Sequence, residues 1–342
     1  MGIKDINTFL KKKEINCFNK VPMKIFRKRR IAIDSLNWVF TFLGIVVKKI
    51  VNYKKDILEP ISQDEIFDVL FKEFLNFNTK FLNYGITPVW IWDGVSQDNK
   101  GVTKVERRKA REKSFEKKEE IEKILKDTNP LERSPDLIDQ YKKLLTTATH
   151  LKRSKIEEIK KRSLELGIPT ITAEDEAENL GSSLAVEKII AGIWSSDTDT
   201  YPLGAPLVVK KFEYLKGEMY INFVFTPNIL KGLELNIDEF RDFCILLGTD
   251  FNDRLPSIGP MRSYELIKRY RCLEEIEKET KHNCYGLKYK DVRKQLCAYK
   301  TKYNGLDDLK INKSVELNFD YMNPEIESFV NLLKNTPDPY NL

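Results

Sequence analysis

Two short apolar runs constrain the fold of this chain most, because each ends directly in an aspartate. Ile31–Ile33 precedes Asp34, and Pro88–Trp92 precedes Asp93. Short runs that are apolar at nearly every position are typical of strands buried on both faces of a parallel sheet. The sequence therefore predicts at least two buried strands, each with a carboxylate at its carboxyl end.

Strand-like and helix-like segments alternate through much of the chain. Ile189–Trp194 and Pro206–Val209 predict two more strands, and Asp64–Leu82 carries apolar residues close to helical spacing. This alternation favours an α/β fold, with a mostly parallel central sheet flanked by helices. Residues 101–165 differ, because they are highly charged and poor in apolar residues, and we interpret them as a helical insertion.

Composition narrows the class of protein. The most apolar stretch, Trp38–Val47, stops far short of the roughly 20 residues that a bilayer span requires, so no membrane partner is expected. The amino terminus lacks the order of charged and apolar residues of a signal peptide. The five cysteines are odd in number and form no CxxC motif, which suits a reducing compartment. We expect an intracellular protein, and the sequence leaves nucleus or cytoplasm open.

Positive charge is concentrated in one segment. The net charge of the whole chain is +6, and residues 100–118 alone contain nine basic and three acidic residues. Lys104, Arg108 and Arg111 recur at helical spacing, which predicts a basic stripe on one helix face. Such a stripe suits a nucleic-acid backbone, although a solvated helix face is the alternative.

Seven carboxylates stand at the ends of predicted elements. Sites in open α/β sheets form beyond the carboxyl ends of the strands, where these residues would meet. So many like charges in one cleft require neutralising cations, and oxygen ligands favour Mg²⁺, with Mn²⁺ as a substitute. Two such ions, roughly 3.5 to 4 Å apart, could clamp a phosphodiester. The seven residues are Asp34, Asp93, Glu176, Glu178, Asp197, Asp199 and Asp250.

Each of these carboxylates, taken alone, also fits a structural role. Asp34 could cap a helix, Asp93 with Gly94 could form a turn, and the glutamates could supply charge at a helix amino terminus. The sequence Asp197–Asp199 could be a solvated loop, whereas on extended backbone both side chains would share one side. Their shared placement beside a basic segment favours a functional site.

Several motifs, in order along residues 1–275, resemble those of the flap endonuclease family of structure-specific 5′ nucleases. They are Gly2-Ile-Lys, Ile31-Ala-Ile-Asp34, Val89-Trp-Ile-Trp-Asp-Gly94, Glu174-Asp-Glu-Ala-Glu178, Ser196-Asp-Thr-Asp199, Cys244-Ile-Leu-Leu-Gly-Thr-Asp250 and Ile258-Gly-Pro260. The resemblance implies a PIN-like nuclease fold with a helical arch and a helix-two-turn-helix element. It implies an N-terminal nuclease region (1–100), an arch (101–165), an internal nuclease region with the helix-two-turn-helix (166–275) and a C-terminal extension (276–342).

The resemblance also implies roles for individual residues. Asp34, Asp93, Glu176 and Glu178 would hold one metal ion, and Asp197, Asp199 and Asp250 the other. Lys100 and Arg107 would act as catalytic residues on the scissile phosphate. The residues implied to bind DNA are Phe40, Lys104, Arg108, Arg111, Ser257, Ile258, Gly259, Arg262, Lys268 and Arg269. In the family, the turn at Ser257–Gly259 would also hold K⁺.

The implied activity is two-metal hydrolysis of branched or flapped DNA, by a 5′ flap endonuclease with 5′ to 3′ exonuclease activity, in replication, repair or recombination. A bubble or four-way-junction nuclease of the same superfamily is one alternative, and a DNA-binding scaffold without catalysis is another. No sliding-clamp motif is seen near the carboxyl terminus, so clamp binding is not expected. A monomer is expected.

Overall fold

The computed structural model describes residues 2–94 and 101–298, and for residues 101–108, 110 and 111 it describes the backbone only. The chain forms two compact units. The first lies within Met1–Asp34, Phe81–Gln97 and Pro169–Leu342, and the second lies within Ser35–Lys80 and Asp98–Ile168. The four regions predicted from the sequence stay a prediction.

A seven-stranded sheet forms the centre of the first unit. Its strands are β1 (Phe18–Pro22), β2 (Arg30–Asp34), β3 (Thr87–Trp92), β4 (Thr170–Thr172), β5 (Gly192–Trp194), β6 (Leu207–Leu215) and β7 (Glu218–Phe225). The spatial order is β1-β7-β6-β5-β2-β3-β4. The five strands from β6 to β4 run parallel, and β7 and β1 pair antiparallel at one edge. The predicted mostly parallel α/β fold is confirmed.

The helices divide between the units. The first unit contains α1 (Ile6–Lys12), α7 (Ala177–Val186), α8 (Thr226–Leu233), α9 (Ile237–Leu247), α10 (Pro260–Tyr270), α11 (Leu273–Glu279) and α12 (Tyr289–Gln295). The second contains α2 (Ser35–Tyr53), most of α3 (Gln63–Asn83), α4 (Gly101–Asp127), α5 (Pro135–Ala148) and α6 (Arg153–Glu165). None of the helices within the described ranges is long and apolar enough to cross a membrane.

The predicted strand Ile189–Trp194 is wrong in its first half. The backbone amides of Ile189 and Ile190 donate hydrogen bonds to the carbonyl of Leu184 and so close α7. Lys188 adopts a left-handed conformation, with φ of 60°, which ends the helix. Only three residues remain to form β5.

The strands β1, β4 and β7 were not predicted from the sequence. β6 and β7 form a hairpin whose turn, Lys216-Gly217, has positive φ at both residues, 50° and 83°. A two-residue turn of this kind matches the right-handed twist of the strands that it joins. The first strand of this hairpin, β6, carries Lys210.

Helix α9 lies in the core of the first unit. It begins with a capping box, in which Asn236 accepts hydrogen bonds from the amides of Asp238 and Glu239. Phe243 lies on the buried face of α9, and its ring centroid lies 5.0 Å from that of Phe9 on α1. This packing holds the amino-terminal helix beside the segment that follows α9.

The second unit is helical. Stacked and edge-on rings of Trp38, Phe42, Phe74 and Phe77 join α2 to α3. The charged segment breaks between α4 and α5 where Pro130 and Pro135 stand in the sequence, as predicted. This segment buries few apolar side chains.

Candidate functional site

The register of the parallel strands brings three predicted aspartates to one edge of the sheet. Asp34 is the last residue of β2, Asp93 follows β3, and Asp197 lies three residues after β5. Ile33 pairs with Trp194 and Asp34 with Ile91, so the three strands end level with one another. The structure thus gives the shared edge that the sequence predicted.

Three carboxylates converge at this edge, and we call them the acidic triad: Glu178, Asp197 and Asp199. One carboxylate oxygen from each lies within 4.8 Å of the others. Asp197 and Asp199 are buried, at 6% and 3% exposure. The resemblance assigns Glu178 to one metal ion and the two aspartates to the other, so the triad combines ligands of both implied ions. An all-oxygen, partly buried donor set of this kind suits a hard cation such as Mg²⁺.

The two aspartates of the triad meet through a turn rather than along a strand. The amide of Asp199 donates to Oδ1 of Asp197 at 3.2 Å, and Thr200 Oγ1 donates to the carbonyl of Asp197 at 2.8 Å. The expectation of extended backbone at Asp197–Asp199 is therefore wrong. The two hydrogen bonds close an Asx-type turn, and this turn orients the two carboxylates.

Three of the other predicted carboxylates, Asp34, Asp93 and Glu176, lie on or contact the elements that carry the triad. Asp34 Oδ2 accepts a hydrogen bond from Ser195 Oγ at 3.1 Å, and the amide of Asp197 donates to that same Oγ at 3.1 Å. Asp93 Oδ1 accepts from the amide of Ala177 at 2.9 Å, at the start of α7. Glu176 is the N-cap residue of α7. Each of the three is thus linked to an element that carries the triad.

The amino-terminal segment reaches the same site, which the residue patterns alone did not predict. The amide of Gly2 lies 3.3 Å from Asp250 Oδ1, and the amide of Ile3 donates to Thr198 Oγ1 at 2.7 Å. Gly2 has φ of 83°, and a Cβ at this position would overlap the carboxylate of Asp197. Only glycine permits this close approach of backbone to the triad.

Lys210 on β6 is a second functional candidate that sequence reasoning missed. Its Nζ donates to the carbonyls of Ser195 at 3.2 Å and Asp197 at 3.0 Å. Burial lowers the pKa of Lys210 to about 7, while the charges of Asp197, Asp199 and Glu178 oppose this shift. No local sequence pattern marks Lys210, because burial along β6 does not alternate: Leu207–Val209 are all buried, Lys210 is half-buried, and the pairing with β7 shifts register between Val209 and Lys211.

A basic groove lies along α10 and the segment after α11. It has a volume of about 430 Å³, and it is lined by four basic side chains together with Glu265, Leu266, Tyr270 and Thr280. Arg262 and Arg269 were predicted to bind DNA, whereas Lys281 and His282 were not. We call these four residues, Arg262, Arg269, Lys281 and His282, the basic groove residues.

The remaining predicted DNA-binding residues of the first unit lie in the turn before α10 and, for Lys268, in the last turn of that helix. Gly259 is its N-cap residue, Ile258 is buried, and Ser257 has φ of 62°, a left-handed conformation that a side chain makes less favourable. Lys268 differs from Arg269, because its Nζ pairs with Glu234 at 2.6 Å. The turn is present, and its serine occupies a conformation that glycine adopts more readily.

The predicted residues of the second unit are described less completely. Phe40 on α2 is 53% exposed, as a stacking ring requires. Lys100 lies outside the described residues. The backbones of Lys104, Arg107, Arg108 and Arg111 lie in α4, and their side chains lie outside the described part of the chain.

Comparisons with known proteins identify the family of this chain. The XPG N-terminal domain model matches residues 1–114, and the XPG I-region model matches residues 167–250, which contains the acidic triad. Flap endonuclease 1 of Theileria parva is 29% identical over 281 residues, or 81% of this chain and 52% of the relative. The chain belongs to the flap endonuclease family.

Solved structures of similar proteins share the fold. Flap endonuclease-1 from Methanococcus jannaschii superposes with a TM-score of 0.56 at 20% identity, covering 94% of this chain and 90% of that one. The catalytic core of Rad2, solved in complex with DNA substrate, gives 0.55 at 20% identity, over 98% of this chain and 95% of that one. The chain spans about half the length of the first flap endonucleases that it matches.

Proposed function

We propose that this chain is a divalent-metal-dependent, structure-specific 5′ flap endonuclease with 5′ to 3′ exonuclease activity on branched DNA. The observation that carries the proposal is the acidic triad at the carboxyl edge of a parallel sheet, inside the XPG I-region. A DNA-binding scaffold would gain nothing from negative charge concentrated where DNA must lie. We propose a monomer that acts inside the cell, in nucleus or cytoplasm, during DNA replication, repair or recombination.

The acidic triad is the proposed metal site, and the carboxylates beside it extend the site to a second ion. Three carboxylate oxygens within 4.8 Å of one another match the ligands of Mg²⁺, for which Mn²⁺ could substitute. Bound cations would supply the positive charge that stabilises a phosphodiester during hydrolysis. The residues proposed to complete the second position are Asp34, Asp93, Glu176 and Asp250.

Basic and aromatic residues are proposed to hold the DNA. Lys100 and Arg107 would bind the scissile phosphate and stabilise the charge that develops on it, and Phe40 would stack on an unpaired base. The basic groove residues would contact the phosphates of duplex DNA. The turn at Ser257–Gly259 would hold K⁺ beside the duplex, and Lys104, Arg108 and Arg111 would contact the single strand.

Cleavage of defined substrates by Asp197→Ala tests the proposal. Wild-type protein with Mg²⁺ should cut a labelled 5′ flap faster than a nicked, bubble or four-way substrate. Asp197→Ala should abolish cleavage while DNA affinity stays equal or rises, because the change removes both a metal ligand and a repulsive charge. Asp253→Ala is the matched control, because Asp253 is 86% exposed and stands three residues after Asp250.

Two results would contradict the assignment in different ways. Cleavage by Asp197→Ala near the wild-type rate would contradict the assignment of the acidic triad as the metal site. Preferred cleavage of four-way junctions or bubbles would leave the metal-site assignment intact. It would show that the substrate is that of a junction or bubble nuclease and not a flap. Excess EDTA should stop cleavage by the wild-type protein in either case.

A further inference from the structure

Lys210 contacts the turn that carries Asp197 and is held there by three electron-rich groups. Its Nζ donates to the carbonyls of Ser195 and Asp197, and it lies 4.7 Å from the centre of the Tyr201 ring. These two carbonyls flank Ser196 in the turn that leads to the triad. The contacts match an ammonium group, which has three donor hydrogens and is attracted to an aromatic face.

Three carboxylates oppose the loss of charge that burial imposes on Lys210. Asp197, Asp199 and Glu178 are the charged groups that interact with it most strongly, and all three are acidic. Tyr201 stays neutral and adds no negative charge, because burial raises the pKa of its hydroxyl well above the usual value, and the hydroxyl donates to Asn7 Oδ1. Lys210 is therefore a single cation set against a group of carboxylates that repel one another.

We propose that Lys210 is a positioning residue that serves as a built-in counter-cation for the acidic triad. It holds the turn at Ser195–Asp199 closed and offsets the repulsion among the carboxylates before any divalent cation is bound. The metal-dependent part of this inference rests on the proposed function, whereas the coupling between Lys210 and the triad does not. Loss of Lys210 would therefore destabilise the metal-free protein more than the metal-bound protein.

A double-mutant cycle in excess EDTA tests the coupling without any metal. We would measure the thermal unfolding midpoint of wild type, Lys210→Met, Asp197→Asn and the double variant in the same buffer. Lys210→Met should lower the midpoint, and Asp197→Asn should recover part of this loss. Independent, additive effects of the two substitutions would overturn the proposal.

Further variants keep the test decisive if Lys210→Met folds poorly. Lys210→Arg retains the charge and should keep the coupling to Asp197, whereas Lys210→Gln retains a donor without charge and should lose it. If Lys210→Gln keeps the coupling to Asp197 as well as Lys210→Arg does, Lys210 acts through hydrogen bonds alone. That result would overturn the proposal. Lys155→Met is the matched control, because Lys155 Nζ also lies 4.7 Å from a ring centre, that of Phe67, and pairs with Asp64 on α3 and Glu158 on its own helix.

Repeating the melts in saturating MgCl₂ separates this proposal from the proposed function. Mg²⁺ should raise the midpoint of Lys210→Met more than that of wild type, and it should leave the deficit of Lys155→Met unchanged. An equal deficit of Lys210→Met with and without Mg²⁺, in a protein that Mg²⁺ does stabilise, would overturn the counter-cation role. Coupling in EDTA together with no effect of Mg²⁺ on any variant would support Lys210 and contradict the metal site.

Discussion

Gly2 packs its backbone against the carboxylate of Asp197, closely enough that a methyl group on Gly2 would overlap Oδ1 of that carboxylate. The two residues are 195 positions apart, and Gly2 also lies against Oδ1 of Asp250. The amide of Lys4 extends this link by donating to the carbonyl of Gly248 at 3.0 Å. The amino-terminal segment is thus part of the wall of the acidic site.

The Gly2–Asp197 contact predicts that Gly2→Ala impairs cleavage. The added methyl group must displace the Asp197 carboxylate, and alanine also disfavours the φ of 83°. We expect single-turnover cleavage in Mg²⁺ to fall about 10²-fold, as for a misplacement of about 1 Å at a reacting centre. Quench-flow measurement at saturating enzyme gives this rate.

Gly44→Ala is the control for this prediction. Gly44 lies in α2 with no atom near its would-be Cβ, so alanine there should leave the rate unchanged. Wild-type cleavage by Gly2→Ala, with an unchanged melting midpoint, would mean that the carboxylate does not need its observed position.

Lys100→Ala and Arg107→Ala should lower turnover far more than DNA affinity. Each removes a proposed donor to the scissile phosphate, and loss of one such donor costs about 2.7 to 4 kcal/mol of transition-state stabilisation, or roughly 10² to 10³ in rate. Single-turnover rates and fluorescence anisotropy on one flap substrate separate the two effects. Lys113→Ala, an exposed change on α4, the helix that contains Arg107, should alter neither. A drop in affinity with an unchanged rate would assign Lys100 and Arg107 to binding instead.

The basic groove residues should govern duplex affinity and its salt dependence. Arg269→Ala and Lys281→Ala each remove one proposed phosphate contact, so each should weaken binding and reduce the salt slope by about 1. Binding isotherms over a range of salt concentrations measure both quantities. Lys278→Ala on α11 is the control, because that lysine is 68% exposed and pairs with Glu275. Equal slopes for the groove variants and this control would exclude the groove from the interface.

Arg293→Met should destabilise the first unit. Its guanidinium donates two hydrogen bonds of 2.6 Å to the buried carboxylate of Asp242 and two more to Glu274. Removing one partner of a buried ion pair costs about 3 to 5 kcal/mol of unfolding free energy. Denaturant unfolding at neutral pH gives this value. Lys294→Met is the control, because Lys294 is exposed beside it.

The unfolding free energy that Arg293→Met loses relative to wild type should become smaller as the pH falls. Burial raises the pKa of Asp242, and Arg293 opposes that rise. Without Arg293 the folded protein takes up a proton at Asp242 at a higher pH than the unfolded chain does, so acid favours the folded variant relative to neutral pH. A deficit that grows toward acid pH would contradict this account of the pair.

Local sequence was sufficient for β2 and β3 and for the positions of the acidic side chains. Runs such as Ile31–Ile33, apolar at every position, are typical of strands buried on both faces of a parallel sheet. The aspartates that follow such runs then share an edge, because parallel strands end on the same side. The breaks at Pro130 and Pro135 were equally readable, since proline lacks the amide that an inner helical turn requires.

Only the tertiary structure decided which distant groups touch the acidic triad. The residue patterns around Gly2 and Lys210 do not reveal their contacts with Asp197, because those contacts join segments that are far apart or unpredicted in the sequence. Lys210 reaches Asp197 because β6 pairs in parallel with β5, a register that burial of the whole sheet selects. The sequence by itself determined which carboxylates could form a site, and packing across the chain determined which of them converge and which cation contacts the turn that carries Asp197.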